Sequence, residues 1–394
     1  MIGFDEACVS VTALARPLGV ERVLLDEAAE RVLAAPVIAP RASPARDTAA
    51  MDGYALRQED AVADRRLAVV EEIFAGGRPR ATIRPGECAR IFTGAPMPDG
   101  ADRVVVQEIV LREGDTAVLN ETPGAARHVR AAGSDFAAGQ VLIEAGRTVT
   151  SGAMVAAAAA DQTTVEVWRR ARLSILCTGD ELAPPGLAAL TAGAIPESVS
   201  YGVAALGRSW GAEVVSRRRL KDDPDDIAEA ARAALAESDV VVVCGGASVG
   251  ARDHSRGVFD RIGMETVFAK VAIRPGKPVW MGRLGNRIVV GLPGNPSAAM
   301  VTARLFLAPL LAGLTGRSAA LAWAWTARPL AEAVEAAGDR ETFLLGRESG
   351  AGVETVGRQD SAGQAALARA DLLVRRRPGA PRLDPGALVD VLAF

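Results

Sequence analysis

Asp239-Val240-Val241-Val242-Val243-Cys244-Gly245-Gly246-Ala247-Ser248-Val249-Gly250 is the stretch on which the reading of the fold turns. An unbroken valine run before a turn suits a strand buried on both faces, as in a parallel sheet. Glycines directly after such a strand let successive backbone N–H groups approach an anion, and Ser248 adds a hydroxyl donor. The loop is neither a P-loop, since GKS or GKT is missing, nor a GxGxxG fingerprint, and a plain tight turn is its other reading. On the N-terminal side, LSILCTGDEL (173–182) reads as a buried strand and a polar loop. SYGVAALGRSWGAEVVSRRRL (200–220) reads as helix, glycine, strand, and DDIAEAARAALAE (225–237) as another helix. On the C-terminal side, 273–311 gives two more strands and a long helix. Apolar strands alternating with amphipathic helices predict a doubly wound α/β sheet with ligands beyond the carboxyl ends of its strands. TGDEL, GGASVG and GLPGNP (291–296) all fall at those ends.

Further from this core the pattern changes. Val11 to Val32 has helical spacing in Leu14, Leu18, Val23, Leu24, Ala28 and Val32, followed by Pro36, Pro40 and Pro44, which forbid a regular helix. From Ala49 to about Asn120, short runs punctuated by Gly and Pro predict a small β module. SGAMVAAAAADQ (151–162) reads as a helix, which suggests a β insertion within one segmented domain. The last 80 or so residues return to short β runs.

The chain has 394 residues and a net charge of −3, which suggests two to four domains at about 100–200 residues each. A near-neutral balance argues against nucleic acid or an anionic membrane as the main partner, and 4% aromatic content against a base-stacking surface. Cys8, Cys88, Cys177 and Cys244 are far apart with no CxxC pair, and the only histidines are His128 and His254. A zinc cluster or a disulfide framework is therefore not expected, and a reducing cytoplasm is. The start, MIGFDEACVS, has acids where a signal peptide needs basic residues. The longest apolar stretch, Ile288 to Leu311, is interrupted by Pro293, Pro296 and Arg304, so no membrane-spanning helix is expected.

Candidate chemistry gathers at the loops. Asp253 beside a glycine-rich anion loop suits a Mg²⁺ ion bridging to phosphate, or equally a helix N-cap. Thr178-Gly179-Asp180-Glu181 and Lys221-Asp222-Asp223-Pro224 supply further acids at the ligand edge, although Asp223 also suits the cap of a helix opened by Pro224. In Lys270-Val271-Ala272-Ile273-Arg274-Pro275-Gly276-Lys277-Pro278, alternation puts Lys270 and Arg274 on one strand face, and the Pro-Gly turn delivers Lys277. Three such cations suit a tetrahedral oxyanion. Asn295 precedes a helix that opens with Pro296. MDGYA (51–55) and TGAPMP (93–98) are compact polar loops whose spacing names no reaction.

Together, MDGYAL, IFTGAPMPDGADRVVVQE, VRAAGSDFAAGQVL, LSILCTGDEL, VVVCGGASVGARDH, VAIRPGKP and VVGLPGNPSAAM, in this order along the chain, resemble the molybdopterin molybdenumtransferase family (MoeA and the gephyrin E domain). The resemblance implies a multidomain α/β plus β fold. Its parts are an elongated segmented domain (1–45 and 136–167), an inserted β domain (46–135), a MogA-like molybdopterin-binding α/β domain (168–314) and a C-terminal β barrel (315–394). It implies a homodimer whose site lies between the α/β domain of one subunit and the β domain of the other. The implied reaction joins molybdate and adenylylated molybdopterin, with Mg²⁺, to give molybdenum cofactor and AMP. The implied partners are the molybdopterin adenylyltransferase and client molybdoenzymes.

Residue by residue, the resemblance assigns the oxyanion to Lys270, Arg274, Lys277 and Arg340, and Mg²⁺ to Asp253, Glu181 and Asp223. Catalytic positions are Asp253, Lys270, Arg274, Asp52 and Glu181. Substrate-binding positions are Thr93, Asp135 and Thr178, then Gly245, Gly246, Ser248 and Gly250, and finally Pro278, Asn295 and Ser361. The chain departs from the family pattern at Ala251, at Glu197-Ser198-Val199, at Asn295-Pro296-Ser297-Ala298 and in SAGQAALARA (361–370). The alternative from another class is a pterin-binding scaffold or carrier without turnover, which molybdate-dependent AMP release distinguishes. A nucleotide hydrolase using the α/β domain alone leaves the N-terminal motifs unexplained.

Overall fold

The computed structural model describes residues 1–245 and 255–394. The chain divides into two compact units. One comprises Met1–Ala35, Gly146–Thr150 and Glu166–Phe394, the other Pro36–Ala145 and Ser151–Val165.

In the larger unit a six-stranded sheet runs in the order Ala212–Leu220, Ala171–Thr178, Val240–Cys244, Arg287–Leu292, Trp280–Leu284, Glu265–Phe268. The first four strands are parallel, Trp280–Leu284 runs against them, and Glu265–Phe268, antiparallel to Trp280–Leu284, runs with them. The wholly parallel sheet predicted from the alternation of strands and helices is thus corrected at one edge. Gly285-Asn286 is too short for a crossover helix, so it folds Arg287–Leu292 back onto Trp280–Leu284 as a hairpin. Every residue of Val240–Cys244 is buried, as the valine run requires.

The helix Pro296–Leu314 lies in the core, with 94% of its most apolar window buried inside the protein. It is long and apolar enough to cross a membrane by length and composition alone, and it runs through Arg304, where the sequence suggested a break. Arg304 is tolerated because its guanidinium donates to the carbonyls of Ala393 (2.6 Å) and Ala322 (2.9 Å) and lies 5.1 Å from the Trp210 ring. Pro309 has no N–H to give the Leu305 carbonyl one turn earlier. The helix widens to a π turn at Ala303–Leu307, and the Trp323 indole N–H donates to that carbonyl at 2.8 Å.

Phe4, on the helix Phe4–Leu14, sits 5.9 Å from Phe306 and 5.0 Å from Phe343, so one core joins the N-terminal helix, the sheet layer and the C-terminal strands. That first helix ends at Leu14, short of the predicted periodicity, and Val20–Leu24 is a strand. Pro17 disfavours helix at Arg16, and Gly19 takes φ 146°. The C-terminal strands close a barrel. Gly352–Thr355, Glu341–Ser349, Leu372–Arg376, Leu388–Ala393 and Thr326–Pro329 pair in succession, and Leu330 bridges back to Val353.

The smaller unit is built on a second six-stranded sheet: Arg103–Val106, Gly53–Leu56, Glu87–Ile91, Arg66–Ile73, Thr116–Leu119, Val110–Glu113. Alternation splits its side chains between two apolar clusters, Tyr54 and Leu56 with Cys88 and Val105 on one face, Ala55 with Ala89, Ile91 and Val104 on the other. Val37–Ile38 pairs with Val141–Ile143, and Ser43 with Phe136, in the same unit.

Gly291 marks where the α/β sheet has no room to spare. Its register partner is Trp280, and a Cβ at 291 would lie 1.9 Å from Trp280 Cε2. Gly291→Ala is expected to cost about 1–3 kcal/mol of stability or more through overpacking, read as a shift in the urea midpoint. An unchanged midpoint would show that the indole moves freely.

Candidate functional site

At the carboxyl ends of the parallel strands lies a cavity of about 600 Å³. Thr178, Glu181, Gly245, Pro278 and Asn295, all marked by the sequence, line it, and Asp222 joins them. Cys177 and Cys244 form its floor as register partners on adjacent strands. The hydrogen bond between them, together with burial, pushes the Cys177 thiol up, so it enters the site as a thiol rather than a thiolate.

Thr178 is buried, and its hydroxyl faces the Asp222 carboxyl, whose pKa it helps to hold down. Gly245 closes against it. With φ 96°, a Cβ there would meet the Thr178 carbonyl at 2.6 Å and its hydroxyl at 3.1 Å. Only glycine lets the chain leave Cys244 in this conformation and keep the floor open. Asn295 donates to the Ser361 hydroxyl at 2.8 Å, and the Ser361 carbonyl accepts from Ala298 N–H at 3.1 Å. Two of the predicted contacts, from distant segments, thus meet at the start of the core helix.

The acidic residues separate into two roles. Asp223 caps the helix Pro224–Glu237, accepting from the N–H groups of Asp225 (2.9 Å) and Asp226 (3.0 Å), and these bonds hold its carboxyl below the usual range. Of the two readings of Asp223, the cap is the one its carboxylate makes. Asp222 stands in the cavity instead, where burial and then Asp180 and Glu181 push its carboxyl up. The sequence signal for it was the Asp-Asp pair itself. A proline-opened helix takes the second acid as cap and leaves the first free.

Asp253, Gly246, Ser248 and Gly250 lie outside the described residues. Among the described residues no three Asp, Glu, Cys or His side chains converge closely enough to hold a metal.

Lys270, Arg274 and Lys277 are all exposed. The predicted strand is only Ile273–Arg274, pairing parallel with Glu341–Thr342 at the barrel, so the single face expected for Lys270 and Arg274 is replaced by a loop. Val271 N–H donates to the Lys277 carbonyl at 3.1 Å, which returns the backbone of Lys277 to the neighbourhood of Lys270. Arg340 donates to the Ile273 carbonyl at 3.2 Å, beside Arg274. Arg274 also lines a second cavity of about 320 Å³ with Ser297, Thr342, Asp360 and Arg376.

In the smaller unit Asp52 accepts from the Thr93 N–H (2.7 Å) and hydroxyl (2.8 Å), bonds that lower its carboxyl pKa. Two loops far apart in sequence are thereby locked together. Asp135 is exposed, its N–H bonded to the Ser43 carbonyl at 3.0 Å.

Three family models match the chain. They are the MoeA N-terminal region (domains I and II) at residues 2–160, a probable molybdopterin binding domain at 174–313, and the MoeA C-terminal region (domain IV) at 327–394. A molybdopterin molybdenumtransferase of Nostoc sp. is 36% identical over 80% of this chain and 74% of its own length. One from Haemophilus influenzae is 35% identical over 76% of this chain and 74% of its own. The crystal structure of a molybdopterin biosynthesis MoeA protein from Pyrococcus horikoshii superposes with a TM-score of 0.86 at 26% identity, covering 100% of this chain and 99% of that one.

The two adjacent acids have opposite linkage. Asp222, with its pKa raised in the fold, subtracts stability once ionised, so Asp222→Asn is expected to melt no lower than wild type at pH 7. That difference should disappear in acid, below the unfolded carboxyl pKa. Asp223, with its pKa lowered, stabilises above the unfolded value and loses this as pH falls through the folded one. Asp223→Ala should therefore melt lower at pH 7 and converge with wild type in acid. Calorimetry across pH checks both, and the reverse order would overturn the assignment.

Proposed function

The chain belongs to the molybdopterin molybdenumtransferase (MoeA) family, and we propose that it transfers molybdenum to molybdopterin in the cavity above the parallel strands. It is an enzyme of molybdenum cofactor biosynthesis, with a multidomain α/β plus β fold. In the finer form of this proposal, adenylylated molybdopterin and molybdate are the substrates and AMP leaves. The observation that carries it is the 600 Å³ cavity lined by the buried Thr178, Glu181, Asp222 and the close-packed Gly245 at the strand ends.

Each group has a task set by its chemistry. The Thr178 hydroxyl and the glycine loop from Gly245 to Gly250 bind neutral and anionic oxygens of the pterin substrate. Lys270, Arg274, Lys277 and Arg340 hold molybdate, a tetrahedral dianion, and fix one oxygen face while leaving the other open to incoming sulfur. Glu181, Asp222 and Asp253 would hold Mg²⁺ against the substrate phosphates, and the ion would supply charge neutralisation as the phosphate bond breaks. Asp52, in the smaller unit, has its carboxyl pKa lowered by the two hydrogen bonds from Thr93, so it stays a hydrogen-bond acceptor at neutral pH.

We further propose a homodimer in the cytoplasm, supported by four unpaired cysteines and by family membership. We divide the chain into the segmented domain (1–45 and 136–167), the β domain (46–135), the α/β domain (168–314) and the barrel (315–394). The gaps between the matched family regions, 161–173 and 314–326, support the last two boundaries.

The test is AMP release from adenylylated molybdopterin as a function of molybdate. Wild type should release AMP only with molybdate and Mg²⁺. Lys277→Ala should lose about 10- to 150-fold in apparent molybdate affinity, as expected for one charge-assisted hydrogen bond worth about 1.5–3 kcal/mol, with pterin binding preserved. Equal loss in both, or loss in neither, would remove Lys277 from the oxyanion site.

A further inference from the structure

Three arginines from separate segments of the larger unit, Arg31, Arg170 and Arg317, meet around one small pocket. Its free volume is about 10 Å³, room for one water-sized group, and Gly211 and the buried Thr315 line it as well. It shares no residue with the substrate cavity. Arg170 immediately precedes the strand Ala171–Thr178, at the amino end of the sheet, whereas the substrate cavity lies at the carboxyl ends.

The three side chains are held differently. Arg31 is buried, pairs with Glu21 and donates to the Trp168 carbonyl at 2.9 Å. Arg317, just past the core helix, donates to the carbonyls of Ser209 and Glu30, both at 3.2 Å. Those acceptors are neutral, so they leave its charge unmatched. The guanidinium of the half-buried Arg170 makes no hydrogen bond and no ion pair among the described residues. Burial first, then Arg31 and Arg317, push its pKa down, against the weaker pull of Glu21 and Glu213. Three cations thus share one bonded carboxylate, and a half-buried charge without a partner carries a desolvation cost that a bound anion offsets.

We infer that this pocket is a binding site for a small tetrahedral oxyanion of the phosphate and sulfate class. Guanidiniums on three segments call for an acceptor that presents separate oxygens in different directions, and the planar fork of arginine fits such oxygens in pairs. The pocket admits one oxygen. Arg170 and Arg317 are both half-buried, which leaves the other oxygens room on the solvent side. The bound ion ties together the segment at 30–32, the start of Ala171–Thr178 and the end of the core helix. It acts on stability rather than on the proposed reaction, so the two stand or fall separately.

The test is equilibrium dialysis of inorganic phosphate against the full-length wild type, Arg170→Ala and Arg170→Gln proteins, with ionic strength held constant by sodium chloride. Removing Arg170 should weaken one equivalent of phosphate about 10-fold or more, as for one charge-assisted hydrogen bond. Any phosphate held by Lys270, Arg274 and Lys277 should stay as it was. Sulfate should displace the Arg170-dependent equivalent, and chloride should not. In phosphate-free buffer Arg170→Gln, which keeps most of the apolar stem, should melt no lower than wild type. No bond is lost there, and the repulsion from Arg31 and Arg317 is relieved. Added phosphate should then raise the melting temperature of wild type more than that of Arg170→Gln. Equal phosphate binding by wild type and both variants, or displacement by chloride as readily as by sulfate, would overturn the inference. So would an Arg170→Gln protein that melts lower than wild type without phosphate, or one that gains as much from phosphate.

Discussion

The main core of the larger unit is built against one buried helix, Pro296–Leu314. Its first turn bounds the substrate cavity through Asn295 and Pro296, its middle receives Phe4 and the barrel through Phe306, and its end continues the same core. Burying it required a solution for each polar defect in its backbone and sequence. Arg304 is solvated by two carbonyls in place of water, and the carbonyl orphaned by Pro309 is answered by the Trp323 indole. Both answers come from the segment that leads into the barrel or from its last strand, so helix and barrel complete each other's hydrogen bonds.

Charge is partitioned around this helix. Carboxylates occupy the strand-end loops at 180–181 and 222, while the cations sit on the loop at 270–277 and on Arg340, which the barrel strand Glu341–Ser349 holds in place. The acids and the cations thus stand on different elements of the unit, which gives it separate negative and positive local fields.

Legibility followed the strength of local rules. Val240–Cys244 and the glycine after it were readable because buried parallel strands and the tight turns that follow them leave compositional marks. The helix cap at Asp223 was readable too, but only as one of two options, since which of two adjacent acids turns to the helix depends on backbone angles. The antiparallel edge was missed because strands of a hairpin and strands of a βαβ unit have the same apolar pattern, and only the length of Gly285-Asn286 separates them. Arg304 read as an interruption because its partners, Ala322 and Ala393, are remote in sequence. The stack of Arg90 between Tyr54 and Phe92, with Phe74 on Phe92, left no pattern, being assembled from three strands or their ends whose residues look like ordinary β-module filling.

The lysine-bearing loop at 270–277 has an unexpected neighbour. Ile2 donates its N–H to the Lys270 carbonyl (3.0 Å) and accepts from Ala272 N–H (2.8 Å), so the chain's second residue acts as a strand beside the loop that carries the lysines. An affinity tag placed ahead of Met1 therefore begins beside the loop that carries Lys270, Arg274 and Lys277, and a polyhistidine tag would bring its own metal-binding and cationic groups there. Purification handles are better carried on an exposed loop of the smaller unit, where the backbone near Gly114 has open space around it.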